Sequence, residues 1–307
     1  MPGLRVERQY DRQEASTMKF GVQVRATADS ADIREVAHIA ESAGFESIFL
    51  PEHTHIPTSV RSLFPENPAW LEACKHMMDP FVALAAAASV TSTLRLGTGV
   101  CLLPQHHPIT LAKTVATLDV ISGGRVLLGI GAGWNEPEMR NHGVEPVNRW
   151  KVMREHALAM KAIWAEDIAE FHGEFVDFGP LWLWPKPVHG GHLPVLVGGE
   201  GPYVLQRVVE YGDGWLPNDH PEVEGRMGEL HRLAATNGRS PIPTTVYAVD
   251  PDRERIERLI AAGADRIVFN ARSPTIDDAR ESLHMLAGLV GDLLEIAPAT
   301  PPLPTPS

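Results

Sequence analysis

The chain has 307 residues, of which 44% are hydrophobic and 21% charged, and its 27 basic and 39 acidic residues give a net charge of −12. These proportions are typical of a globular protein, and the acidic balance excludes nonspecific nucleic-acid binding, which needs a basic face. No run of about 18 apolar residues occurs, so no membrane span is expected.

Short apolar segments recur along the chain and predict eight strands. Several are nearly continuous runs of Val, Ile and Leu, which is typical of strands buried on both faces of a parallel sheet. In chain order the predicted strands are Lys19–Val24, Ser47–Leu50, Arg95–Val100, Arg125–Ile130, Pro194–Val197, Gly214–Leu216, Thr244–Val249 and Arg266–Phe269.

Apolar residues at helical spacing predict helices between these strands. The predicted helices run from Ser30 or Asp32 to Ala43, over Asp79–Ser92, from Pro108 to a stop at Ser122-Gly123-Gly124, over Trp150–Ala165, up to Tyr211, and over Val223–Ala235, Arg253–Ala262 and Asp277–Glu295. Eight strands, each followed by a helix, favour a closed (β/α)₈ TIM barrel in the α/β class over an open sheet. The barrel is expected to be a single domain over residues 18–296.

Two long segments interrupt this alternation. Residues 54–78 contain prolines and aromatic residues without a clear period, and loops of this length are usually lids or binding loops. Residues 170–187 alternate apolar and polar residues and predict a small antiparallel excursion. Both are expected to be insertion segments at the carboxyl-end rim of the barrel, where they would determine substrate specificity.

The two ends of the chain differ from its middle. Residues 1–17 are polar and lack the apolar core of a secretory signal, and residues 297–307 are rich in proline, so both are expected to be disordered. The two cysteines, Cys74 and Cys101, have no CxxC spacing and are expected to be reduced thiols in a cytoplasmic protein.

Glycines cluster at the ends of three predicted strands. They are Gly99, then Gly129, Gly131 and Gly133, and finally Gly198, Gly199 and Gly201. A dinucleotide-binding GxGxxG fingerprint would need a glycine where Trp134 stands, which argues against a Rossmann fold. The glycines serve either tight strand-to-loop turns or a flat or anionic ligand that lies against the backbone at the rim.

The order of these motifs resembles that of a known family. The segment LRLGTGVCLLPQHHPITLAKTVATLDVISGGRVLLGIGAGW, with GFESIFLPEH before it and PVLVGGEGP and GDGWLP after it, is similar to the luciferase-like monooxygenase superfamily. The resemblance covers residues 18–290 and is strongest to the branch that uses the deazaflavin coenzyme F420. It implies F420 as cofactor, with FMN as the alternative, a small-molecule substrate and a homodimer.

The resemblance also implies which residues contact the cofactor. They are Thr98, Gly99, Val100, Ala132, Gly133, Trp134, Gly198, Gly199 and Gly201. A cis peptide bond between Gly99 and Val100 would support the ring. The loop around Gly199 precedes a predicted helix, whose N-terminal amides suit a phosphate, and Glu200 is expected to point away from that anion.

Glu52 and His53 follow the second strand and are the catalytic candidates. The resemblance implies that they face the redox ring, with His53 as a proton donor and Glu52 orienting it or bonding the ring. Histidine suits this role because it gains and loses a proton near working pH, although a structural role is the alternative. No metal is expected, because the pairs His53–His55 and His106–His107 lack a carboxylate or cysteine at ligand spacing.

One position departs from the family pattern. Family members that oxidise sugar phosphates carry a carboxylate where this chain has Trp134, so that reaction is not expected here. Trp134 either stacks on the cofactor, lines an apolar pocket or simply packs. Three functions stay open: an F420-dependent oxidoreductase that moves a hydride to or from a small organic substrate, an FMN-dependent monooxygenase, and a non-catalytic flavin- or deazaflavin-binding protein.

Overall fold

Eight parallel strands alternate with helices in the structure, a computed structural model that describes residues 18–62 and 68–293. In chain order the strands are β1 (Lys19–Gln23), β2 (Ser47–Leu50), β3 (Arg95–Thr98), β4 (Cys101–Leu102), β5 (Val126–Gly131), β6 (Ala169–His172), β7 (Asp177–Leu181), β8 (Val195–Gly198), β9 (Gly214–Leu216), β10 (Thr245–Val249) and β11 (Arg266–Asn270). The short β4 pairs with β5, and β6 and β7 form a separate antiparallel hairpin.

The other eight strands are arranged as a barrel. Neighbours are parallel and follow the order β10-β11-β1-β2-β3-β5-β8-β9. The junction between β9 and β10 is bridged at two isolated points, Trp215 with Thr244 and Asn218 with Tyr247. The predicted (β/α)₈ barrel is confirmed, and all eight predicted strands are present within about two residues of their expected bounds.

Ten α-helices cover the barrel in the described part of the chain. They are α1 (Ile33–Ser42), α2 (Pro68–Lys75), α3 (Pro80–Ala88), α4 (Pro108–Ser122), α5 (Glu136–Asn141), α6 (Arg149–Ala165), α7 (Val204–Tyr211), α8 (Val223–Thr236), α9 (Arg253–Ala261) and α10 (Ile276–Val290). Short 3₁₀ turns occur at Thr58–Ser62, Leu103–Gln105 and Pro146–Asn148. Carboxylate N-caps start α1 and α3, as the aspartates ahead of them predict, and Gly123 with a φ of 70° ends α4.

Some predicted helix bounds were wrong. The α3 helix ends at Ala88 rather than Ser92, because the hydroxyls of Ser89 and Thr91 donate to carbonyl oxygens of its last turn at 2.6 and 2.8 Å. The α2 and α5 helices were not predicted, since each is short and lacks a clear apolar period. The closing helix was expected to reach Glu295, whereas α10 ends at Val290 and residues from 294 onward lie outside the described ones.

Side chains fill the barrel in two layers. The interior of the barrel holds Phe49, Leu127, Leu196, Leu216, Tyr247 and Val268. A larger cluster lies between the strands and the helices and contains the alternate residues of the same strands, such as Ile48 and Leu128. The barrel is therefore a packed core whose only room for a ligand is at its ends.

An ion pair lies at the amino-terminal end of the barrel. The Glu46 carboxylate, just before β2, accepts two hydrogen bonds from Arg266 at 2.8 and 2.7 Å, and Arg95 lies 3.6 Å away. Burial alone would raise the pKa of Glu46, but the charge and hydrogen bonds of Arg266 outweigh it and hold the pKa at about 2. This end of the molecule serves stability rather than chemistry.

Of the two expected insertions, residues 54–78 follow β2 at its carboxyl end, and residues 170–187 lie between α6 and β8. The antiparallel excursion predicted within 170–187 is present as the β6–β7 hairpin, but residues 182–187 are not a strand and include a cis Trp184–Pro185 bond. Residues 1–17 and 297–307, predicted to be disordered, lie outside the described residues. Within 18–62 and 68–293, no helix has the length and apolar character needed to cross a bilayer.

Candidate functional site

Glu52 lies at the carboxyl end of β2 and holds neighbouring backbone in place. It is buried, and its carboxylate accepts hydrogen bonds from the Leu102 amide at 2.6 Å and from His106 Nε2 at 2.9 Å. Burial lowers the pKa of His106, but the hydrogen bond and charge of Glu52 outweigh this and raise it. Glu52 thus binds His106 and the segment after β3, and not His53 as the sequence interpretation allowed.

His53 instead pairs with a carboxylate that the sequence did not reveal. His53 Nδ1 donates to Glu138 Oε2 at 2.8 Å, and the Thr54 amide donates to Glu138 Oε1 at 3.1 Å. The side chains of His53 and Glu138 are 7% and 0% exposed. A buried carboxylate on Nδ1 fixes the tautomer and the orientation of a histidine ring.

Glu138 reaches His53 from α5, the short helix after β5. Asn135 caps this helix by accepting from the Glu138 amide, which places the Glu138 side chain in the first turn. The only sequence signal was the Asn-x-x-Glu spacing at a helix start, which marks a cap and not a partner for His53. A contact between residues 85 apart depends on the barrel geometry.

A chain of polar contacts continues outward from His53. Thr54 Oγ1 hydrogen-bonds His142 Nε2 at 2.8 Å and His55 Nδ1 at 2.9 Å, and Asn141 donates to the other nitrogen of His55 at 2.9 Å. Partial burial and the nearby His55 lower the pKa of His142. The end of β2 is therefore joined to the end of α5 by several hydrogen bonds.

The end of β3 has the geometry that the resemblance implied. The peptide bond between Gly99 and Val100 is cis, which confirms that prediction. Thr98 is buried and donates from Oγ1 to the Gly129 carbonyl at 2.7 Å. Thr98, Gly99 and Val100 therefore lie together at the rim, one strand away from His53.

Most rim glycines make room for protein atoms. A Cβ on Gly99 would lie 2.1 Å from Tyr247 Oη, and Cβ atoms on Gly131 and Gly198 would lie 2.5 and 2.8 Å from the Val100 side chain. The glycine at 129 is needed because a Cβ there would lie 2.0 Å from the Thr98 carbonyl oxygen. Close packing against protein atoms therefore accounts for these glycines. The two explanations drawn from the sequence were tight strand-to-loop turns and a ligand that lies against the backbone.

At the end of β5 the chain turns sharply and exposes an aromatic ring. Gly133 has a φ of 81°, which suits glycine, while Ala132 is buried and Trp134 is 38% exposed. The Trp134 ring meets the His53 ring edge-on, with 5.5 Å between their centroids. Trp134 therefore forms a wall directly beside His53.

The loop after β8 has the features of an anion site. Its Gly199 carbonyl accepts from Trp215 Nε1 at 3.0 Å, and its Glu200 carbonyl accepts from Arg226. Because N–H and C=O point in opposite directions across a trans peptide, the next two amides, those of Glu200 and Gly201, point away from these donors. Within the described residues, a Cβ on Gly199 or Gly201 would meet nothing within 4 Å.

The acidic side chain of this loop is held aside. Glu200 Oε1 accepts from the backbone and side-chain nitrogens of Asn218 at 2.7 and 2.9 Å. The amides of the loop also precede α7, whose N-terminus favours negative charge. An open, glycine-lined face with two outward amides fits a phosphate group, as a flavin or deazaflavin carries.

One group of possible metal ligands occurs in the described ranges. Donor atoms of Glu52, Cys101 and His106 lie within 4.8 Å of one another. Burial, and then the charge of Glu52, raise the pKa of the Cys101 thiol well above its ordinary value, so Cys101 stays protonated beside the carboxylate. Hydrogen bonds account for this group, and the expectation of no metal stays a prediction.

The predicted site residues come from four adjacent strands, β2, β3, β5 and β8, and all lie at one rim. A sequence model described as luciferase-like monooxygenase matches residues 15–289. The chain belongs to the luciferase-like monooxygenase family.

Two relatives and one solved structure illustrate this luciferase-like family. An uncharacterized protein of Mycobacterium tuberculosis is 41% identical over 258 residues, which cover 82% of this chain and 91% of that protein. The F420-dependent hydroxymycolic acid dehydrogenase of the same species is 29% identical over 188 residues, which cover 60% of this chain and 48% of that enzyme.

The solved structure is the oxygenating constituent of 3,6-diketocamphane monooxygenase from Pseudomonas putida, in complex with FMN. It matches with a TM-score of 0.71 at 18% identity, over 89% of this chain and 97% of that chain. At this identity the likeness shows a shared luciferase-like fold. The chain is thus similar in sequence to a protein named for F420 and similar in fold to a protein solved with FMN.

Proposed function

We propose that this protein is an oxidoreductase that transfers a hydride between coenzyme F420 and a small organic substrate. The observation that carries the proposal is the buried His53–Glu138 pair, which stands at the rim next to the Gly99–Val100 cis peptide and Trp134. The F420-dependent relative at 29% identity favours F420 over FMN.

The residues at the rim divide into two groups by the part of the cofactor that each group would hold. The edge formed by Gly99 and Val100, together with Trp134, would hold the ring, and the amides of Glu200 and Gly201 would hold the phosphate. Bound F420 would supply a two-electron donor or acceptor of hydride. The chain supplies orientation, exclusion of water and one placed proton.

His53 is the group that would move this proton. Because Glu138 accepts from Nδ1, the ring would give or take a proton at Nε2, next to a substrate oxygen whose charge changes as the hydride moves. Glu138 would stabilise the imidazolium form without leaving its place, since it is also held by the Thr54 amide at 3.1 Å.

A titration of the purified protein with F420 and, separately, with FMN tests the cofactor. Binding at micromolar or lower Kd, followed by absorbance and tryptophan fluorescence, is expected for F420, and Trp134 should report it. A clear preference for FMN would instead support the FMN-dependent monooxygenase alternative. The Pseudomonas putida structure, a monooxygenase in complex with FMN, is an example of such a protein. Binding of neither would refute both.

The His53→Ala variant tests the chemistry. We expect unchanged F420 binding and a rate at least about 10-fold lower, because an acid–base group contributes at least this factor. The matched control is His172→Ala, since His172 lies on the hairpin with a 62% exposed side chain. Tight F420 binding with no His53-dependent turnover of any substrate would instead indicate the non-catalytic binding protein.

A further inference from the structure

Arg25 follows β1 and faces the mouth of the barrel, which is the opening at its carboxyl-end rim. Val22 and Val24 are buried in the layer between the strands and the helices, so the alternate residues, Gln23 and Arg25, point towards the barrel axis. The Val24 amide donates to the Phe49 carbonyl at 3.1 Å, so pairing with β2 extends this far. Arg25 is exposed, and a residue on this face is exposed through the mouth.

Two amide side chains lie beside Arg25 on the same face. Gln23 is two residues earlier along β1, and Asn270 is the register partner of Gln23 on β11. Gln23 is partly buried and Asn270 is exposed. Within the described ranges, none of these three side chains has a hydrogen bond to protein atoms, and Arg25 has no ion pair. The mouth therefore presents several N–H donors and one uncompensated positive charge.

The charge of Arg25 acts on residues both inside and above the barrel. Burial raises the pKa of Tyr247, in the barrel interior, well above its ordinary value, and the charge of Arg25 opposes this rise. Burial also raises the pKa of the Cys74 thiol on α2 to about 11, where the charge of Arg25 opposes the rise and that of Glu138 adds to it. Cys74 therefore lies within electrostatic range of both Arg25 and the His53–Glu138 pair.

The position of Arg25 in the barrel separates it from the loop after β8. In the closed order β10-β11-β1-β2-β3-β5-β8-β9, the strands β1 and β8 are four steps apart in either direction, so they lie on opposite sides of the mouth. A cofactor phosphate at Glu200 and Gly201 would be across the mouth from Arg25. His53, in contrast, follows β2, the neighbour of β1. A ligand of Arg25 would accordingly be a second molecule.

We propose that Arg25 binds the carboxylate of a small organic acid, with the amides of Gln23 and Asn270, and that this acid is the substrate of the hydride transfer. A guanidinium forms two parallel hydrogen bonds to a planar carboxylate, and amide NH₂ groups donate further ones. Oxidation of a hydroxyl group elsewhere in the acid would pass the hydride of its carbon to the cofactor and the hydroxyl proton to His53, leaving a carbonyl group. That the acid is the substrate rests on the proposed function, whereas carboxylate binding rests on the three side chains alone.

Binding of benzoate to the protein without added cofactor tests the proposal. Ligand-observed NMR titrations would compare benzoate with benzamide, which has nearly the same shape but no charge. For a ligand of this size we expect a Kd of about 1 mM for benzoate and binding at least about 10-fold weaker for benzamide. Because these measurements do not use F420, a failure to bind F420 would refute the proposed function and leave the carboxylate site standing.

Three variants connect the binding to the mouth. Arg25→Gln should weaken benzoate at least about 10-fold, and Asn270→Leu about 3-fold. The matched control is Arg232→Gln, which should change nothing, because Arg232 is exposed on α8 and also has no ion pair in the described part of the chain. Equal binding of benzoate and benzamide, no benzoate binding to the parent protein, or unchanged benzoate binding by Arg25→Gln, which would place the anion at another site such as the loop after β8, would overturn the proposal.

Discussion

His53 and Glu138 are 85 residues apart in the chain, and their side chains meet at 2.8 Å. At the scale of single residues, this buried carboxylate fixes the tautomer of the His53 ring. The proposed proton transfer would therefore depend on the pair and not on the histidine alone.

The Glu138→Gln variant tests this pairing. Its amide can still accept from the Thr54 amide, but it would then present an NH₂ group to His53 Nδ1 and force the ring into the other tautomer. We expect F420 binding to be retained and the turnover rate to fall at least about 10-fold in single-turnover measurements. Glu136→Gln, on the same helix and half exposed, should keep the parent rate. Equal rates for both variants would remove Glu138 from the mechanism.

The apolar strand pattern placed His53 and Gly99 at one rim, and the family resemblance implied the cis bond between Gly99 and Val100. Sequence reasoning could not locate Glu138 or the contact of Glu52 with His106, since neither contact has a sequence periodicity.

At the scale of elements, the spacing between β3 and β5 depends on Gly129, which has no side chain. A Cβ at Gly129 would lie 2.0 Å from the Thr98 carbonyl oxygen, and this backbone atom cannot move without separating the strands. The same carbonyl belongs to the residue that precedes the cis peptide. The placement of the segment proposed to hold the cofactor therefore depends on strand packing.

The Gly129→Ala variant should therefore lower the free energy of unfolding by about 3 kcal/mol or more, since overpacking against backbone has no flexible way out. Denaturant unfolding followed by circular dichroism would measure it. The control is Gly228→Ala inside α8, where a Cβ would lie 3.6 Å from Arg232 Nη1, an ordinary contact. It should raise stability by about 0.5–1 kcal/mol. A near-neutral effect at Gly129 would contradict the packing argument.

The elements themselves were largely predictable because the hydrophobic periodicity agreed with the residues that start and end helices and strands. The strands were found from continuous apolar runs, and α4 was bounded by Pro108 and Gly123. The end of α3 was wrong because hydroxyls near its last turn bond its carbonyls, a local competition that apolar spacing does not record.

At the scale of the whole molecule, the ion pair of Glu46 with Arg266 predicts acid sensitivity. The folded-state pKa of Glu46, about 2, lies below its ordinary value of 4.5, so the stabilisation is complete above pH 4.5 and is lost as the pH falls towards 2. Glu46→Gln should reduce the free energy of unfolding by about 2–3 kcal/mol at pH 7 and flatten its dependence between pH 4.5 and 2.

Unfolding curves measured across that pH range would check this expectation. The control is Asp277→Asn, because Asp277 is 90% exposed and pairs with Arg280 at 3.1 Å on the surface, where an ion pair contributes little. A Glu46→Gln protein with the same acid dependence as the parent would show that other carboxylates govern acid unfolding.

Some of the exposed apolar side chains lie on α3, on α4 and in the segment after β7. Val82 and Ile121 are 71% and 61% exposed, and Trp182 and Trp184 are 78% and 56% exposed, while Lys113 of α4 donates to the Trp184 carbonyl. Apolar surface of this kind usually marks an interface. The homodimer that the family resemblance implies stays a prediction, and side chains of this kind would be buried in it.

The Ile121→Glu variant tests the dimer. We expect the parent protein to have the mass of a dimer in light scattering after size-exclusion chromatography, and the variant to have that of a monomer, because a buried unpaired charge at an interface is costly. Val147→Glu, at a site 86% exposed and outside α3 and α4, should stay dimeric. A monomeric parent protein would refute the prediction.

The barrel as a whole followed from counting strand–helix units, but its closure did not. Nothing in the sequence showed that β9 and β10 would meet at isolated bridges, because parallel pairing across that junction depends on the curvature of all eight strands.

The junction between β9 and β10 lacks a continuous ladder. Three backbone hydrogen bonds span it, from the Trp215, Tyr247 and Asp219 amides, but they form isolated bridges where every other pair of barrel neighbours forms a ladder. We therefore expect local opening of the native state to begin between β9 and β10. The same stretch of chain also supports the loop after β8, through Trp215 to the Gly199 carbonyl and Asn218 to Glu200. An anion bound by this loop would therefore also stabilise the β9–β10 junction. Anion binding and local opening of the barrel at this junction would then be linked equilibria.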